Sequence, residues 1–464
     1  KMPEPEAQDK FCTKADGYRG FWYGCTPAED RSTIKEKYAY KYSGGLGTYC
    51  AKHRPFAVYS EEVNKTFFCY GGTVKNNYRK ERTRIGENQL LHMVSYFDHD
   101  KGVVPKPTIL LDKWCSDCHD NPVISLDEEG YIWIFSSSHG HGTTPSYIHK
   151  SREPYSIDSF ETVKKTLYAY PQVKYIKGKG FSLFHTYYQN GRQIRFMKST
   201  DGNRWSDPVT LAKIDEGHYQ ISNANKDKLG TAFNYHPANR ELPGLEYRSN
   251  LYYLETEDFG DTWKNIEGEE VEIPLVDEKN PALVYDFQEE GLNVYMKDLI
   301  FDEKNRPIIL FITSKGHEPG PENNPRTWTT AHWTGAKWEI NEGMISDSNY
   351  DMGTLHLENN LWKLIAPTET GPQPFNPGGE VAIWETGDQG KTWTRSKQIT
   401  DNSSRNHTYI RRPLKAHQEF YGFWADGHGR KPSPSFLYFT DKDGRKVRRL
   451  PSLMNKDFEK PNTI

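Results

Sequence analysis

The stretch LYYLETEDFGDTW, Leu251 to Trp263, is a strand-like run that ends in an abrupt turn. Aromatic and apolar residues of this kind suit a half-buried strand. The segment after it has the makings of a tight loop. An Asp bonds its own backbone, a Gly takes a left-handed conformation, and a Trp folds back over the sheet. The same unit returns as STDGNRW (Ser199–Trp205) after IRFMK and as TGDQGKTW (Thr386–Trp393) after VAIWE. Weaker relatives lie at HWTGAKWEI (His332–Ile340) and YFTDKDGRKVRRLP (Tyr438–Pro451). One turn recurring after one kind of strand marks a repeat, and repeats dictate architecture.

Working outward from these turns, hairpins recur with first strands starting near Arg54, Asn121, Pro171, Tyr219, Lys297, Asp351 and Arg412. Seven starts predict seven four-stranded blades. The expected fold is all-β, a single seven-bladed β-propeller with Asp-box-like turns over residues 1–464. A ring of blades removes most exposed sheet edges. The N-terminal GYRGFWYG and YAYKYSGG are expected to supply a strand that closes the last blade.

Composition agrees with many short strands. The 464 residues include 37 glycines and 28 prolines, and 14% are aromatic. Mean hydropathy is −0.86. No run of apolar residues is long enough to span a bilayer, so no membrane partner is expected. The net charge of −3 provides no global basic field, which argues against nucleic acid. Attraction for an anion must therefore be local. YRKERTR (Tyr78–Arg84) is the basic stretch best suited to a polyanion.

Chemistry gathers around CHDNPVISLDEEGYIWIFSSSHGH, Cys118 to His141. Two strand-like runs flank an acidic-Gly turn, so the start of the first and the end of the second share one end of a hairpin. His119 and His139 should therefore be neighbours. Followed around the ring, the same end carries His53, then Tyr187, Tyr188 and Arg192, then His218, Tyr235 and His236, then Arg248 and Asn250. His141, His149 and His185 read as structural or surface residues. Amphipathic side chains line many propeller mouths for packing reasons alone. The paired histidines beside tyrosines raise this cluster above that background.

No pair of carboxylates of the kind glycoside hydrolysis uses stands out on that face. His, Tyr and Arg together suit β-elimination from a uronate. A cation neutralises the carboxylate, a base takes the C5 proton, and an acid protonates the departing O4.

All six cysteines, Cys12, Cys25, Cys50, Cys69, Cys115 and Cys118, lie in the first 118 residues. They read as disulfides of a secreted protein. The alternative is a structural metal (zinc or calcium), with zinc on Cys50, Cys69, Cys115 and Cys118.

KYSGGLGTYCAKHRPFAVY, HDNPVISLDEEGYIWIFSSSHG, GHYQIS, RSNLYYLETEDFGDTW, GGEVAIWETGDQGKTW and YIRRP together resemble the BNR-repeat propeller polysaccharide lyases, the ulvan and L-rhamnosyl-(1→4)-D-glucuronate lyases. The resemblance implies elimination at glucuronate or iduronate without a catalytic cofactor. It implies His119, His139, Tyr187 and Tyr235 as catalytic residues, and Arg248, Asn250, His53, Tyr188 and Arg192 as substrate-binding ones. The implied partner is an anionic polysaccharide or oligosaccharide, met by a monomeric, secreted or periplasmic enzyme. Two alternatives remain at this stage. One is the related propeller exo-α-L-rhamnosidases, which act from the opposite face; the other is a non-catalytic glycan-binding propeller.

Overall fold

The structure is a computed structural model. It describes residues 12–24, 38, 42–47, 53–73, 90–113, 115, 117–139, 145–238, 247–431 and 433–464. Seven antiparallel sheets, each built from consecutive strands, form the seven blades of a propeller. Their innermost strands are Ala57–Ser60, Pro122–Leu126, Ala169–Ile176, Gln220–Asn225, Asn293–Phe301, Thr354–Glu358 and Asn406–Arg411. Six of the expected starts fall within a few residues of these strands. The seventh does not: Arg412 follows the end of its strand, because the preceding NHTYIR is already paired with Gly422–Gly427.

The repeated turns act as their chemistry requires. In the second, Asp258 Oδ1 accepts from the amides of Asp261 and Thr262 and from the Thr256 hydroxyl, at 2.8–3.0 Å. Gly260 sits at φ 90°, where a Cβ would meet the Phe196 ring at 2.2 Å. Trp263 then packs edge-on against Phe184 and Phe196 of the preceding blade, at 5.9 and 5.2 Å between centroids. Trp205 does the same against Phe135 of the preceding blade. Each turn thus ends one strand and fastens its blade to its neighbour.

Among the described residues of the N-terminal segment, none joins the sheet of the last blade as a strand. Thr13–Lys14 joins the outer edge of the first blade beside Thr108–Asp112, and Trp22–Gly24 pairs with Tyr42–Gly44 as a separate ribbon. Gly20 makes bridges to both Gly72 of the first blade and Ser435 of the last. Asn462–Thr463 adds the fifth strand to the last blade. The ring is therefore stitched at its seam by bridges, and each blade's core strands come from one stretch of chain. No helix among the described residues is long and apolar enough to cross a membrane.

Candidate active site

The local fold at His119 begins with an Asp. Asp117 caps a single helical turn, Cys118–Asp120, by accepting the His119 amide at 3.1 Å, a favoured use of Asp. The inner strand of the second blade starts immediately afterwards, and Pro122 pairs with Ser136 at the hairpin's open end. That register carries His139 back over the turn. Its amide is held by Asp120 Oδ1 at 2.5 Å.

The two imidazoles stack at 4.0 Å with 15° between their planes. The Asp117 carboxylate bridges them: His119 Nδ1 donates to Oδ1, and His139 Nδ1 donates to Oδ2 at 2.7 Å. Burial alone would raise the Asp117 pKa. The charges of His119 and His139 and their hydrogen bonds overcome that and hold it well below the usual carboxylate range. An ionised carboxylate can only accept, so both Nδ1 atoms carry protons and the Nε2 atoms face away from Asp117.

Aromatic rings continue from the pair. Tyr170 stands edge-on to His119 at 5.6 Å and to His139 at 6.3 Å, and Tyr188 is 5.8 Å from His139. Tyr219 is edge-on to Tyr170 at 5.8 Å. Arg192 lies over both Tyr188 and Tyr219, at 5.3 and 5.7 Å. Arg248, 2% exposed, lies over Tyr219 and Tyr295 at 4.6 and 4.8 Å. A crescent of rings and guanidinium groups therefore runs from the second blade to the fifth.

The remaining expected residues are placed as follows. His53 is fully buried below the pair, where its Nε2 donates to the His119 carbonyl at 2.9 Å. Burial, followed by the charges of His119 and Arg411, pushes its pKa well down, so it is a neutral prop. Tyr187 takes the other face of its strand and lies over Arg195 at 3.9 Å; its neighbour Tyr188 faces the histidines. Tyr235 is core: its hydroxyl donates to Glu278 at 2.9 Å and lies beside Gln288 Oε1, toward the outer strand of its blade. Burial and Glu278 push its pKa far above the ordinary tyrosine value. Asn250 sits at φ 57° and spends its Oδ1 on the Gln288 amide. His218 is likewise internal, accepting from Ile214 and donating to Asn234. His236 is buried edge-on to Tyr219.

The cysteines do not assemble a metal site among the described residues. Cys69 donates to the Pro122 carbonyl and Cys115 to Asp120 Oδ2. No disulfide links Cys12, Cys69, Cys115 and Cys118 to one another. Cys50, the basic stretch Tyr78–Arg84 and His141 lie outside the described residues. Among the described residues, the grouping with metal-ligand spacing is Asp117, His119 and His139. A cation there would compete with the two Nδ1 hydrogen bonds. Asp117, Tyr170, Tyr219 and Tyr295 are additions to the expected site. Asp117 had one visible signal, an Asp two residues before a paired histidine.

The family model described as "BNR repeat-containing family member" matches residues 75–344. The chain belongs to this BNR repeat-containing family. Its relatives include an ulvan lyase of Nonlabens ulvanivorans, 24% identical over an alignment of 319 positions that covers 61% of this chain and 65% of that one. An ulvan lyase of Alteromonas sp. (strain LOR) is 23% identical, over 73% and 74% of the two chains. Among solved structures, a PL25 ulvan lyase superposes with a TM-score of 0.67 at 16% identity, covering 88% of this chain and 96% of that one. The same type of enzyme bound to -[GlcA(1-4)Rha3S]- gives a TM-score of 0.67 at 15% identity. At these identities the superpositions establish a shared fold.

Proposed function

We propose that this protein is a polysaccharide lyase that cleaves rhamnosyl-(1→4)-uronate linkages of the ulvan type by β-elimination. The observation that carries the reading is the stacked His119–His139 pair on one carboxylate, with Tyr188 beside it and two arginines farther along the crescent. The similarity to enzymes named ulvan lyases supports the substrate class.

In this reading the substrate uronate lies in the crescent. Arg192 or Arg248 neutralises its carboxylate, which acidifies the C5 proton. One of the pair, His139 or Tyr188, takes that proton. The electron pair forms the C4–C5 double bond, the C4–O4 bond breaks, and the other residue returns a proton to O4 of the leaving rhamnosyl unit. Asp117 fixes the ring orientation and balances the charge when an imidazole is protonated, as carboxylates do for catalytic histidines elsewhere. Tyr188 replaces Tyr187 as the candidate tyrosine because it faces the pair. Tyr235 and Asn250 have no part in it.

The test is the ultraviolet absorbance of a 4,5-unsaturated uronate during incubation with ulvan. A steady rise that is lost in His139→Ala is expected. Release of free rhamnose with no rise in absorbance would overturn the reading.

A further inference from the structure

The axis of the propeller holds an imbalance of buried charge that does not belong to the site above. Asp298, from the inner strand of the fifth blade, is 2% exposed. Its Oδ1 accepts from Arg54 at 2.9 Å, Arg412 at 3.2 Å and the Leu299 amide at 2.8 Å. Its Oδ2 accepts from the Thr354 hydroxyl and the Leu355 amide, each at 2.8 Å. Five donors saturate one carboxylate, so it has no capacity for another cation.

Further cations nevertheless stand close by: Arg411 lines the same space, and Lys174 is near. Lys174 is 3% exposed and its ammonium donates to the Val173 carbonyl at 3.3 Å. Burial, then the charges of Arg54 and Arg412, drive its proton affinity well down. Burial also lowers the pKa of Arg54 to about 10, which still leaves its guanidinium charged at neutral pH. Even with Lys174 neutral, the guanidinium groups of Arg54, Arg411 and Arg412 face one carboxylate among the described residues. An uncompensated charge in a low-dielectric interior is expensive, and a counter-ion removes that cost.

Space for one exists at that place. A cavity of about 20 Å³ is lined by Arg54, Asp298, Arg411 and Arg412. That is room for about one water-sized sphere, too little for a tetrahedral oxyanion. Arg412 also lines a wider cavity of about 690 Å³ on the far face.

We propose that the axial cavity binds a single small monovalent anion of the halide class. The guanidinium N–H groups of Arg54 and Arg412 donate to it, and its negative charge offsets part of the surplus. Arg54 also holds the start of the third blade, its amide donating to Pro171 O and its carbonyl accepting from Val173 N, both at 3.1 Å. An occupied site would therefore brace the strand that presents Tyr170. This inference is independent of the proposed reaction.

Crystals of the full chain soaked in sodium bromide and measured at the bromine edge test it directly. An anomalous peak between Arg54 and Arg412 is expected. Bromide peaks elsewhere on the molecule with none in the cavity would overturn the proposal. In solution, Tm in sodium bromide should exceed Tm in sodium gluconate at equal ionic strength by several degrees, and Arg412→Met, which removes one donor and one charge from the cavity lining, should shrink that increment. Equal increments in both proteins would overturn the assignment to this cluster.

Discussion

At the scale of single residues, the site depends on Asp117 more than on any group that would touch substrate. One carboxylate sets the tautomer of two imidazoles and their stacking. Asp117→Asn keeps the shape but can donate, so one ring must turn or change tautomer. We expect kcat to fall by about 10²–10⁴-fold with little change in KM, read from initial rates. Strand parity makes a second prediction. Tyr188→Phe should reduce kcat by at least about 10²-fold, whereas Tyr187→Phe should stay near the parent rate, because Tyr187 lies over Arg195 on the other face. The choice between these two tyrosines was out of reach from sequence, since a one-residue slip in register exchanges the faces of a strand. Tyr235 misled for a related reason: the pairing of its strand shifts between Phe233 and Tyr235. That irregularity turns its ring toward the outer strand, and nothing in NYHP announces it.

A titration prediction belongs at the same scale. Burial raises the pKa of Asp347 to about 6. The folded state therefore holds this proton more tightly than the unfolded chain, where the pKa is near 3.8. Its contribution to stability is complete below about pH 4 and is lost as pH rises through 6. Asp347→Asn keeps an acceptor for the Phe375 amide, which now donates to Oδ2 at 3.0 Å. The variant should match the parent at low pH and exceed its stability above pH 6 by up to about 2–3 kcal/mol. Urea midpoints across that range check the sign.

At the scale of elements, the Asp-box turns are the part of the fold most legible in the sequence. The reason is that their stability is local. Asp, Gly and the small hydroxyl residue complete the loop among themselves, so their spacing is diagnostic without tertiary context. Asp258 is held far below the usual carboxylate range by the Thr262 and Thr256 hydroxyls and backbone amides, against the opposing effect of burial. Asp201 and Asp388 are also depressed, Asp388 to about 2. Folded-state values below the unfolded ones stabilise above about pH 4, and that stability drains away as pH falls through the folded values. Asp258→Ala removes several hydrogen bonds and should cost about 1–3 kcal/mol at neutral pH, seen as a lower urea midpoint. The hairpin at His119 was legible on the same grounds, since its short acidic-Gly turn fixes which ends meet.

At the scale of the whole molecule, blade number could be read from the spacing of hairpins, but seam and centre could not. The seam depends on Gly20 reaching Gly72 and Ser435, contacts between the two ends of the chain that carry no local signature. The crescent draws Tyr170, Tyr219, Arg248 and Tyr295 from three blades, each ordinary in its own segment. Convergence at the ring's face makes them a site, and it requires the ring to be closed. The last blade shows the limit of spacing alone, its marker at Arg412 falling after the inner strand.

The central claim is elimination at a uronate by the histidine face. It is tested most directly by digesting ulvan in heavy-oxygen water and weighing the products by mass spectrometry. Elimination predicts products one water lighter than hydrolysis would give, with a 4,5-unsaturated uronate at each new non-reducing end. One solvent oxygen in each newly formed reducing end, and no unsaturated uronate, would contradict the account.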